Sequence, residues 1–173
     1  MKNKNLMNRI IMLLAFLLAT SSSFAQITTE EDMAKAIFKT IKNSDIETFK
    51  NYGASDSKMT NTVAGMGEST PMEKSIKQEL RKEKAENFTK ECINKFNLLQ
   101  SELTNNNIKI KDGVFVKIKT NKVRFEVKGL KASKIEFIVA FDKKEYEIRI
   151  DIFKTKNDMF IYDFYFTKPE IKK

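Results

Sequence analysis

The residues best placed to do chemistry are Asp163 and Tyr165, two positions apart in the last apolar stretch, Met159 to Phe166. In a strand such neighbours share a face, roughly 6.5–7 Å apart along the chain. Met159 and Ile161 are expected to line that face beside them. A carboxylate in apolar surroundings next to a phenol can abstract a proton and steady the resulting oxyanion. The same residues fit a plainer role, with Asp163 bonded to a helix-end or loop amide and Tyr165 closing the core. Tyr52, Asp56 and Met59 flank a long polar connection and are expected at the rim of a pocket. These seven residues form the candidate ligand-binding set. Phe160, Tyr162, Phe164 and Phe166 alternate with them and form a candidate interface, for a protein partner or a homodimer through the sheet, if their face is uncovered.

Most other chemistry is excluded by composition. The 173 residues include no His and one Cys, which removes Ser-His-Asp triads, Cys-His pairs, imidazole metal sites and intrachain disulfides. Five Gly and two Pro leave no Gly-rich phosphate loop. Asp151, Asp158 and Asp163 lack the spacing of a calcium loop. Among the acidic residues, no pair stands out as the two carboxylates of a glycosidase. No catalytic set, metal or cofactor is therefore expected. The lone Cys92 fits an oxidising compartment as a buried, inert thiol.

Charge and targeting signals concern location. The net charge is +9, yet of the 32 basic residues only Arg9, Arg81, Arg124 and Arg149 are Arg. Planar recognition of phosphate or carboxylate favours Arg, so the composition resembles a solvated Lys coat, and no nucleic acid is expected as a partner. Residues 1–25 have the layout of a cleavable signal peptide: Lys2, Lys4 and Arg9, then ten apolar residues from Ile10 to Ala19, then Ser23 and Ala25 as the small residues before the cut. Ten apolar residues fall short of the roughly 20 that span a bilayer, so no integral membrane segment is expected after cleavage. The protein is then expected to be exported, to the periplasm or beyond.

Residues 26–173 are expected to form one α+β domain, helices over 28–104 and strands over 108–167. Met33, Ile37 and Ile41 recur at helical spacing behind a capping box at Thr28 or Thr29. Ser44 and Glu47 repeat that spacing for a short helix ending near Gly53, taken as a left-handed C-terminal residue. The connection from Ala54 to Ser69 is either a lid-like loop or hides a short helix. Thr70-Pro71-Met72-Glu73 opens a long amphipathic helix that runs to Leu103.

Beyond Ile108 the period becomes two. Strands are expected over Val114–Ile118, Val123–Val127, Ile135–Phe141, Tyr146–Ile152 and Met159–Phe166, with turns at Thr120-Asn121, Gly129 to Ser133 and Asp142 to Lys144. Ile135–Phe141 and Met159–Phe166 are apolar on both faces, so each belongs at the centre of the sheet or where a partner covers its outer face. Helices followed by a curved antiparallel meander make an α+β pattern, with the helices packed on the sheet.

This order of elements resembles the nuclear-transport-factor-2-like superfamily, the cone-shaped fold of ketosteroid isomerase and the polyketide cyclases. The final Met159-Phe160-Ile161-Tyr162-Asp163 is similar to the closing "Trp-Lys-Ile-x-Asp" of small exported members, with Met159 for Trp and Phe160 for Lys. The resemblance implies a cone that can hold a small apolar ligand, in a superfamily containing both enzymes and non-catalytic domains. A cystatin-like helix-on-sheet domain has the same element order. The reading that follows is an exported, non-catalytic domain with a ligand-binding or envelope accessory role. Its alternatives are a histidine-free acid–base enzyme using Asp163 with Tyr165 or Tyr52, and a secreted inhibitor or immunity-type protein that docks on another protein.

Overall fold

The computed structural model describes Ile27, residues 29–142 and residues 144–167. The expected leader, its cleavage after Ala25 and the cap position Thr28 lie outside the described residues. Among the described residues, five helices precede a four-stranded antiparallel sheet of order β1-β2-β3-β4. The helices are α1 (Glu30–Asn43), α2 (Ile46–Tyr52), α3 (Asp56–Gly65), α4 (Pro71–Lys82) and α5 (Ala85–Asn105). After a 3-10 turn at Ile110–Asp112 come β1 (Val114–Val127), β2 (Leu130–Phe141), β3 (Lys144–Lys154) and β4 (Met159–Thr167). No helix among the described residues is long and apolar enough to cross a membrane.

Four of the five helices begin where a side chain satisfies a free backbone N–H group, whereas α5, opening after Lys84, has no side-chain cap. Thr29 accepts from the Asp32 amide to open α1, and Ser55 accepts from Lys58 to open α3. Asp45, not Ser44, caps α2; Ser44 is instead the left-handed residue that closes α1, at φ 53°. Gly53 ends α2 as expected but with φ −74°, so its small size matters more than left-handedness: a Cβ there would lie 3.2 Å from Thr89 Oγ1. At Thr70 the capping box is complete. The connection over 54–69 hides the short helix α3.

The long helix expected from Pro71 to Leu103 is broken. α4 ends at Lys82, Glu83 and Lys84 are extended, and α5 starts at Ala85. The break lets the two segments serve different surfaces. α5 buries Cys92, Phe96, Leu99 and Leu103 in the larger core, with α1, α2 and one face of the sheet. α4 contributes Leu80 to a smaller core, with Met59, Leu130, Phe153 and Phe160, over one end of the opposite face.

The sheet also corrects two boundaries. No turn occurs at Thr120-Asn121: Val114–Val127 is one continuous 14-residue strand. Its three register shifts against β2 leave Val116, Lys119 and Arg124 as extra residues, and these bulges produce the change of phase that reads in sequence as a turn. The turn expected over Gly129–Ser133 is shorter, because β2 already begins at Leu130. Gly129 turns the chain at φ 88°, and a Cβ there would meet the Gly65 carbonyl at 2.1 Å, so glycine is required. The Glu73 carboxylate ties this corner together by accepting from the Ser69, Thr70 and Lys128 amides.

β2, apolar on both faces, lies inside the sheet, as expected. β4 is an edge strand rather than a central one. Its cover comes from the chain itself: Gly53 bridges to Ile161, and α5 follows the strand, with Phe96 near Phe164 and Phe88 near Tyr162.

Candidate functional site

A bulge in β4 decides where the candidate residues go. Asp151 of β3 opposes Asp163, but the next residue, Ile152, opposes Ile161, so Tyr162 is the extra residue. Before the bulge, Met159 and Ile161 face the larger core and Phe160 faces the smaller one. After it, Phe164 and Phe166 take the larger core. Asp163 and Tyr165 are thereby turned to the other face, opposite Asp151 and Arg149 of β3.

Both sequence-derived groupings are divided by this phase change. Met159 and Ile161 do not line a face with Asp163 and Tyr165. Phe160, Tyr162, Phe164 and Phe166 do not form an exposed aromatic surface either: Phe160 and Phe164 are fully buried within the chain, in different cores. Tyr162 stacks on Phe153 with ring centroids 4.0 Å apart. Burial pushes its phenol up to about 12. The i, i+2 rule holds for each pair separately and fails across the inserted residue.

Asp163 and Tyr165 do come together, in a charged cluster on the outer face. Asp163 Oδ1 accepts from Lys95 Nζ of α5 at 2.9 Å and from the Phe164 amide at 2.8 Å. Lys95 Nζ lies 3.7 Å from the centre of the Tyr165 ring, and the Arg149 guanidinium carbon lies 4.1 Å from it. Burial pulls the Lys95 ammonium down, but its hydrogen bonds to Glu91 and Asp163 outweigh this and hold it above its ordinary value. The hydrogen bond to Asp163 also raises the Tyr165 phenol.

Sequence reasoning missed the centre of this cluster, Asp151. Its side chain is 2% exposed, and its Oδ2 is approached by Arg124 Nη2 at 2.8 Å and Arg149 Nη2 at 3.2 Å. The other oxygen, Oδ1, and the nearby Arg149 Nε are buried without hydrogen-bond partners. Burial raises the Asp151 carboxyl despite the two arginines. A usable signal was the scarcity of arginine, since two of the four in the chain meet at this one carboxylate. Their meeting requires the bulge at Arg124, which no spacing rule reveals.

The remaining candidates lie near the second helix layer. Asp56 and Met59 line an open groove of about 500 Å³ between α3 and α4, together with Val63, Lys77, Leu80 and Arg81. Tyr52 is elsewhere, half-buried against the larger core, its phenol raised by burial and by Asp45. Cys92 is buried, and burial lifts its thiol to about 12, so it is unreactive near neutral pH. Among the described residues no group of His, Cys, Asp and Glu is arranged to hold a metal ion. Compared with known proteins, the chain matches no family model, no curated protein and no solved structure.

Proposed function

We propose that this is an exported, non-catalytic α+β domain of nuclear-transport-factor-2-like architecture that binds a small, largely apolar ligand in the α3–α4 groove. The observation that carries the proposal is the contrast between that groove and the Asp163 cluster. The groove is open and sets the apolar Met59, Val63 and Leu80 among Asp56, Lys77, Arg81 and Glu83, a combination of apolar surface and polar groups that a small molecule can use. Asp163, the best candidate for acid–base chemistry, has one oxygen engaged by both Lys95 and its own strand, as expected of a residue that holds α5 to the sheet. The helices-then-sheet order supports the architectural part, and the pattern of residues 1–25 supports export.

Native mass spectrometry of the protein purified gently from the exported fraction of its own host tests the reading. A reproducible small-molecule adduct is expected, together with the mass of a chain beginning at Gln26. Ala64→Trp, at an exposed position lining the groove, should remove the adduct while leaving the far-ultraviolet circular dichroism unchanged. An adduct that survives this substitution places the ligand elsewhere and refutes the groove.

A further inference from the structure

The geometry points to a second site, on the outer face of the sheet, where Arg124 and Arg149 bind an oxyanion, the phosphate or carboxylate group of a larger ligand. Two bulges build it. One makes Arg124 the extra residue of β1, and the other makes Tyr162 the extra residue of β4, next to the Asp151–Asp163 pair. Bulges re-aim side chains, and these two flank the same carboxylate from opposite edges of the sheet.

The arginines are not arranged as a closed structural ion pair would be. Arg–carboxylate pairs are frequently bidentate, with two parallel N–H···O contacts. Here both guanidinium groups bring a single Nη2 to the same oxygen, while the second oxygen and Arg149 Nε are left without partners. Asp151 therefore gathers the two groups at one point through one Nη2 of each. The side chains of Arg124 and Arg149 stay 41% and 32% exposed over an Asp151 that is almost completely buried.

Charge around this point has the same layering. Lys134 lies opposite Asp151 across β2 and β3, and Lys122 lies opposite Lys134 across β1 and β2. With the arginines and Lys95 these make five cations; their partners in the sheet, Asp151, Asp163 and Glu136, are each more buried than the cations they pair with, and Lys95 also pairs with the exposed Glu91 of α5. Such a surface presents positive potential to solvent. Arginine rather than lysine at its centre suits the planar oxygens of phosphate or carboxylate.

A chain beginning at Gln26 keeps three arginines, Arg81, Arg124 and Arg149, and their Nε–Hε signals in NMR spectra during titration with inorganic phosphate at constant ionic strength give a direct test. Saturable shifts at Arg124 and Arg149, with Arg81 unmoved, are expected. Uniform, non-saturating shifts at all arginines overturn the site. Arg149→Lys keeps the charge and should weaken phosphate binding about tenfold, because the fork of donors is lost. Unchanged affinity in this variant, with its fold verified by circular dichroism, also overturns the proposal. Co-sedimentation identifies the source of the anion: pelleting with phosphatidylglycerol vesicles but not phosphatidylcholine vesicles, reversed by phosphate, assigns a lipid-borne phosphate. Saturable phosphate shifts without pelleting assign a soluble anion.

Discussion

The outer face of the sheet has two ends built on different principles. At one end Leu130, Ala132, Phe153 and Phe160 are sealed beneath α3 and α4, and the stabilisation is apolar burial. At the other, Asp151, Asp163, Arg124, Arg149 and Tyr165 meet without a helix above them, apart from Lys95 reaching over from α5. β3 and β4 supply residues to both ends, so strand propensity does not explain the difference. The break after Lys82 does, because it folds α4 back over one end only. The dry end can lose stability in large steps, whereas partly solvated ion pairs contribute little each.

Substitutions at the two ends should reproduce this ranking. Phe160→Ala, removing a fully buried ring that meets Phe153 edge-on at 5.7 Å, should cost about 3–5 kcal/mol in urea unfolding. Gly129→Ala should follow at about 1–3 kcal/mol, since the new Cβ meets the Gly65 carbonyl at a positive φ. A neutral result there would mean that the corner joining α3 to the β1–β2 turn moves freely.

A pH series separates the corner from the charged end. Amide hydrogen bonds, led by that from Thr70, hold the Glu73 carboxyl below its ordinary value. Its contribution is therefore fully present above the ordinary carboxylate range and is lost as pH falls through the depressed value. Glu73→Gln should unfold at a lower temperature than the wild type at pH 7, with the gap closing below about pH 4. A gap independent of pH would show that Glu73 acts by packing alone.

The smallest effect belongs to Asp163→Asn, which should change stability by less than about 1 kcal/mol, because Lys95 keeps its second partner Glu91 and stays partly solvated. A loss comparable to that of Phe160→Ala would erase the proposed difference between the two ends.

Much of the architecture was legible locally. The α1 stripe, the Thr70-Pro71-Glu73 start and the period-two pattern beyond Ile108 depend on neighbours within a few residues, and each formed as its own chemistry requires. The strand errors share a cause. Val114–Val127 read as two strands because three bulges shift the phase of alternation while the ladder continues. The last strand read as one unbroken alternation, whereas Tyr162 is inserted and reverses every later side chain. A bulge is a property of two strands in register, so neither strand's sequence declares it alone.

By itself, then, the sequence determined the α+β order, the capping box at Thr70, the exclusion of histidine and thiol chemistry, and the choice of Asp163 and Tyr165 as residues that end up side by side. Only the tertiary structure decided which face they occupy, that Asp151 and two arginines join them, and that Phe160 and Phe164 belong to separate cores. Composition, capping and periodicity act within a turn of helix or a few strand residues. Facing and convergence depend on pairing between segments far apart in the chain, such as Arg124 with Asp151 and Lys95 with Asp163.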